Sequence, residues 1–298
     1  MIGSFTACPP CLVPLGMSAL THSLITAGAI GVACAVLSVF VVLRRWAFIG
    51  EGIAHAGFGG AGTAWILSLL FPSVAYFSQP SGIYLCAVTF ALLVAVGIAW
   101  VTQREQVHAD TAIGIFLVAS LGWGFVAYGI HLKLRNGKPP PEWGDYLLGR
   151  MEIMPSHYTV GAVIVCLAVL AVMALLGKEI LAYAFDPGLA RAGGVRVGLI
   201  HHLLILLVAL TIVFGMRLMG SLLVTGLLVL PGATALLLSR RLRRVIVMAV
   251  VVGLIGALAG PLVHFNWGFI PQGPAIVLTL VAEFLLVFAA RGMLQQGD

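Results

Sequence analysis

Long runs of apolar residues, each about twenty residues long and closed by short polar breaks, make up most of this 298-residue chain. Nine such runs can be traced: 20–43, 50–71, 82–101, 111–131, 157–177, 199–216, 218–238, 245–263 and 274–290. A helix rises about 1.5 Å per residue, so about 20 apolar residues cross a hydrocarbon layer about 30 Å thick. Barrel strands would be about half as long and would alternate apolar with polar, which these runs do not. The pattern predicts an all-α polytopic membrane protein with about eight to nine transmembrane helices. The breaks after Met216 and around Arg240 are short, so the boundaries there are soft. A single membrane domain is expected over 1–298, with 1–19 as an outer N-terminal stretch and 178–198 as a cytosolic segment.

Composition agrees: 61% of residues are hydrophobic and 9% charged. The formal charge of +6 sits in loop arginines and lysines rather than on a nucleic-acid surface, and lipid is the expected surrounding. With nine spans and an outside N-terminus, the inner side carries Arg44, Arg45, Arg104, Lys178, Arg191, Arg196, Arg240, Arg241, Arg243, Arg244 and Arg291. The outer side carries Lys133, Arg135, Lys138, Arg150 and Arg217, and eleven against five obeys the positive-inside rule. The C-terminus is therefore expected in the cytosol. The first residues do not resemble a signal peptide, because no Lys or Arg precedes the first apolar run.

The breaks between runs carry local signals. Three consecutive prolines exclude a helix through the middle of the Lys133–Arg150 loop, whereas GDYLLGRMEIM could form a short surface helix. Asp186-Pro187 reads as an N-cap followed by proline at the first helical position, and Gly193-Gly194 as the stop; between them fits a helix of about two turns. Asp110 suits the start of the fourth span. Pro231 and Gly232 fall inside the seventh run, where proline breaks the hydrogen-bond ladder and frees carbonyls. Pro274 opens the last run.

Against this apolar background Glu51 and His55 stand out, four residues apart on what would be one helix face. Ionisable groups near lipid are costly, and a carboxylate with an imidazole can provide two ligands for a divalent transition metal. The alternative is an interfacial ion pair of Glu51 with Arg44 or Arg45 and a satisfied core histidine. Glycines at 50, 52, 57, 59, 60 and 62 leave one face nearly bare, which allows either close helix packing or an unwound, cavity-lining backbone. Two ligands are few, as suits a conduction path that must also release. Neutral imidazole is the liganding form, so transport should weaken as pH falls through the histidine titration. Glu283, in the middle of the last run, is a candidate path residue, against a packing hydrogen bond. His201 and His202 read as an interfacial pair, and His264, Asn266 and Trp267 as an outer-mouth group. Cys34, Cys86 and Cys166 read as small core residues; Cys8 and Cys11 form a CPPC element too sparse for a zinc site.

Four motifs in order, RRWAFIGEGIAHAGFGG, HADTAIGI, YAFDPGLARAGGV and GSLLVTGLLVLPGATALLLSRRLRR, resemble the ABC-3 permease family, the membrane subunit of bacterial ATP-driven zinc, manganese and iron importers. The resemblance runs from about Arg44 to Arg291. It implies a homodimer in the bacterial plasma membrane, docked on a separate ATPase and fed by an extracytoplasmic metal-binding protein. It also implies that Phe185, Asp186, Pro187, Leu189, Ala190 and Arg191 belong to a coupling helix, and that Glu51 and His55 contact passing metal. The family commonly has Asp where this chain has Glu51. No resident cofactor is implied beyond the transported ion.

The residues also narrow the alternatives. No G-x-x-x-x-G-K-[ST] loop occurs, so ATP hydrolysis is expected on another chain. HExxH and Gly-x-Ser-x-Gly are absent too, which argues against an intramembrane enzyme. A stand-alone proton-coupled carrier or channel, with Glu51, His55 and Glu283 as relay, stays open at this point.

Overall fold

The computed structural model describes residues 17–71, 74–104, 107–140, 156–267, 270 and 272–295. These form helices and one 3-10 turn, with no strand among the described residues. In chain order they are α1 (Met17–Leu43), α2 (Ile49–Leu70), the 3-10 turn Ala75–Ser78, α3 (Pro80–Gln103), α4 (Ala109–Leu134), α5 (Ser156–Leu175), α6 (Gly177–Phe185) and α7 (Pro187–Ala192). They continue with α8 (Val197–Met219), α9 (Ser221–Leu227), α10 (Leu230–Leu238), α11 (Leu242–Asn266) and α12 (Gln272–Gln295). Among the described residues seven helices are long and apolar enough to cross a membrane; α5 qualifies as an eighth only together with α6, from which it is bent by 73°.

Every apolar run lands on helix, but the seventh is not one continuous span. It divides into α9 and α10, with the break at Leu228–Val229 and Pro231 in the first turn of α10. The missing proline N–H costs least there. Upstream, α8 turns into α9 at Gly220, whose φ of 88° and ψ of 158° are open essentially to glycine alone. The broken pair still covers the depth of a full span. Gly273, at the start of α12, lies beside the Met219 carbonyl, and Arg291, near its end, donates to the Leu237 carbonyl.

α2 is, with α1, the most buried of the long helices, and it packs against α3, α4, α8 and α9. Its glycines decide between the two readings of the bare face. α2 is a regular helix, and the glycines are points of close packing. A Cβ on Gly60 would fall 2.6 Å from the Ala87 Cα and the Cys86 carbonyl oxygen, both backbone atoms of α3. A Cβ on Gly62 would lie 3.1 Å from the Gly124 Cα of α4. Neither neighbour can rotate away, so Gly60→Val should cost about 1–3 kcal/mol or more through overpacking. The expected readout is a lower melting temperature in detergent. Gly122→Ala on α4 meets no atom within 4 Å and should be neutral or stabilising.

The proposed surface helix within 141–155 and the Cys8–Cys11 element lie outside the described residues. Cys34 and Cys166 are buried free thiols, as expected of core residues.

Candidate functional site

Glu51 is the third residue of α2 and His55 the seventh, which puts His55 about 9 Å along the axis from the helix start. The helix begins at Ile49, so both groups lie within two turns of the α1–α2 turn. Their side chains meet: His55 Nε2 is 2.7 Å from Glu51 Oε1, the imidazole N–H donating to the carboxylate. In the single chain the side chains are 17% and 30% exposed for His55 and Glu51. The Thr225 side chain of α9 lies beside Glu51. Gly50 brings α9 this close, since a Cβ there would lie 3.1 Å from the Thr225 methyl. The pair therefore looks onto the broken span.

The interfacial ion pair with arginine does not form. Arg44 lies over the ring of Tyr183 at 4.4 Å and near that of Trp46 at 5.7 Å, and the ion-pair partner of Glu51 is His55. Between Ile49 and Trp65 the positions of α2 that are not fully buried are Glu51, His55 and Thr63. They share a sector of about 120° on the helix. Thr63 accepts a hydrogen bond from Trp123 Nε1 at 2.9 Å. Over this stretch the open positions are all polar, a short hydrophilic stripe in an apolar chain; towards the end of α2 Ile66, Leu67, Leu69 and Leu70 are open as well.

The pair suits a cation. Two ligands about 2.1 Å from an ion and at right angles around it stand about 3.0 Å apart, a few tenths of an ångström wider than the present contact. An ion would replace the shared proton with little rearrangement. Groups of three or more His, Cys, Asp or Glu able to hold a metal are absent among the described residues, so the pair is a sparse site.

Glu283 lies apart. It is on α12, half-buried, and its Oε2 has no hydrogen-bond partner among the described residues. α9 stands between the two helices: Thr225 meets Gly50 of α2, and Gly226 meets Val277 of α12. His201 is buried and bonded within the bundle near the start of α8, and His202 Nδ1 donates to the Gly198 carbonyl at 2.8 Å. His264 Nδ1 donates to the Ile270 carbonyl at 2.8 Å.

The short capped helix is present. Asp186 Oδ1 accepts from Gly188 N at 2.8 Å and from Leu189 N at 3.0 Å, and Pro187 occupies the first turn. At the other end Gly194 has φ +83°, with Gly194 N bonded to the Arg191 carbonyl and Val195 N to the Ala190 carbonyl. That is a Schellman stop, which needs a left-handed residue. Phe185 (64% exposed) and Leu189 (73%) face outward with Asp186 and Arg191, while Pro187 is half-buried and Ala190 packs inward.

Thr225 and Tyr183 escape a reading of the sequence alone. Each is an ordinary residue in its own segment and gains meaning only from a neighbour far along the chain.

A bundle of long apolar helices with one broken span and a polar stripe beside the break is the build of a polytopic transport permease. The chain belongs to the ABC 3 transport family, which it matches over residues 17–291. It is 31% identical over 272 residues to the manganese transport system membrane protein MntC of Listeria monocytogenes, covering 91% of this chain and 90% of that one. It is 28% identical over 279 residues to a probable iron transport system membrane protein of Haemophilus influenzae, covering 93% and 96%. The solved structure of PsaBC from Streptococcus pneumoniae in complex with Fab superposes with a TM-score of 0.72, at 26% identity and 92% of each chain.

Proposed function

We propose that this chain is the membrane-spanning permease of an ATP-driven importer for divalent transition-metal ions. Manganese and iron are favoured over zinc by the names of its relatives. The observation that carries this reading is the Glu51–His55 contact at 2.7 Å, set in the mostly buried first half of α2 beside the broken span. Glu51 and His55 take the ion in passing and lose it again, since two protein ligands leave the rest of its shell to water or to a second copy. Phe185, Asp186, Pro187, Leu189, Ala190 and Arg191 form the coupling segment, with Phe185 and Leu189 as its apolar contact face. A separate ATPase sits on that face, an extracytoplasmic metal-binding protein delivers the ion, and two permease copies form a homodimer. The chain acts as one non-catalytic membrane domain of the bacterial plasma membrane, its N-terminus outside and its C-terminus cytosolic.

The relay reading, in which the protein works alone, needs Glu283 beside the Glu51–His55 pair, and the interposed α9 speaks against it. Reconstitution into liposomes decides between the two. Manganese(II) uptake should require ATP, the ATPase and the binding protein, and iron(II) should compete more strongly than zinc. Uptake by the purified permease alone would overturn the ATP-driven reading.

A further inference from the structure

Behind the short capped helix lies a hydrogen-bonded junction that neither the metal pair nor the docking face accounts for. Tyr183 of α6 is 1% exposed and reaches into the bundle. Its hydroxyl is 2.6 Å from Nδ1 of His201 on α8, itself 5% exposed. Across the ring, His201 Nε2 is 2.8 Å from the Thr102 hydroxyl and 3.1 Å from the Ala99 carbonyl, both near the end of α3.

The protons can be assigned from donor and acceptor chemistry. A carbonyl only accepts, so Nε2 carries a proton. In the neutral ring Nδ1 is then an acceptor and receives the Tyr183 O–H. Thr102 sends its own proton to the Ile98 carbonyl at 2.7 Å, which leaves its oxygen able to accept from Nε2. One neutral tautomer satisfies the whole chain from α6 through α8 to α3.

The same imidazole meets the edge of Trp46, with ring centroids 5.4 Å apart. Trp46 is fixed by the turn that ends α1: Arg45 has φ 58°, Arg45 N bonds the Val42 carbonyl and Trp46 N the Val41 carbonyl. The Trp46 carbonyl then accepts Ile49 N–H at 3.0 Å, which ties it to the first turn of α2. Arg44 closes the group from above, over the rings of both Tyr183 and Trp46. Exposed Phe185 is two residues beyond Tyr183, and Glu51 is five beyond Trp46. Packed and hydrogen-bonded side chains therefore join the docking face to the helix that carries the metal pair.

We propose that Tyr183 and His201 are positioning residues that link the ATPase-docking segment to α2, so that movement at the coupling helix is felt at Glu51 and His55. The inference rests on the permease reading above. It assigns a role to two residues that touch neither metal nor ATPase.

The test uses the full importer, permease with ATPase and binding protein, in proteoliposomes with manganese(II) as probe. Tyr183→Phe removes one oxygen and keeps the buried ring. It should leave the ATPase bound and hydrolysing, while manganese moved per ATP falls about tenfold, a typical coupling effect. His201→Leu should behave alike, and the double variant should be no worse than the worse single, because one linked unit can be broken only once. His201→Gln offers a carbonyl and an amide N–H in place of the two ring nitrogens and should recover part of the loss. Wild-type stoichiometry in Tyr183→Phe would overturn the proposal, as would losses that multiply in the double variant, the mark of two independent packing defects. If His201→Leu does not fold, Tyr183→Phe alone still decides. Wild-type uptake without ATP would instead overturn the permease reading on which the proposal rests.

Discussion

Alanine at Glu51 or His55 should cut divalent-metal uptake by about two orders of magnitude while the protein still reaches the membrane in normal amounts. Loss of a mere supporting hydrogen bond to a metal ligand costs about 10–100-fold, and loss of a ligand at least as much. Both side chains are partly open and neither anchors the core, so the folding cost should be small. Glu51→Gln is the sharper probe. It keeps size and hydrogen-bonding capacity but removes the charge that a cation needs, so uptake should fall nearly as far as in Glu51→Ala. Glu51→Asp keeps the charge on a stem one methylene shorter and should retain most uptake. Uptake competition among manganese, iron and zinc in cells carrying each variant makes the measurement. Wild-type uptake in both alanine variants would remove the pair from the mechanism.

The second large effect is expected at the short capped helix. Leu189→Asp places a charge at a position that is 73% exposed, so the isolated permease should be as stable as the parent, within about 0.5 kcal/mol. Yet the ATPase should no longer co-purify, and ATP-driven uptake should vanish, because an unpaired charge in an apolar contact is costly to desolvate. Asp186→Ala should be milder: it removes both cap bonds, worth about 1 kcal/mol, and frays a helix of only six residues. An intact, ATP-coupled complex after Leu189→Asp would show that docking happens elsewhere.

Much of this architecture can be read from the chain because its signals are local. Apolar run length places the helices, and Asp186-Pro187 with Gly193-Gly194 brackets α7 because caps act within a few residues. Glu51 and His55 share a face because four residues make about one turn. The seventh run misleads because hydropathy is blind to backbone continuity. Pro231 marks the defect, but the division into two helices at Leu228–Val229 also depends on how α9 and α10 pack. The glycine face of α2 is ambiguous in sequence, since the same residues serve packing and unwinding, and the choice falls to Ala87, Cys86 and Gly124 on other helices. Thr225 and the Tyr183–His201–Thr102 chain are illegible for a related reason. His201 is 99 positions from Thr102, and nothing in either segment names the other.

The backbone-to-backbone seating of α2 has a consequence for how the molecule can work. Where Gly60 and Gly62 press on the backbones of α3 and α4 no side chain lies between to act as a bearing, and a helix so seated neither slides nor rolls by half-measures. α2 travels with its two neighbours as one slab or stays still. The play in the mechanism then belongs to the neighbour packed beside it, where Gly220 and the Leu228–Val229 break interrupt the helix at both ends of α9 and leave Thr225 beside Glu51. Grip and release are thus divided between an anvil and a latch.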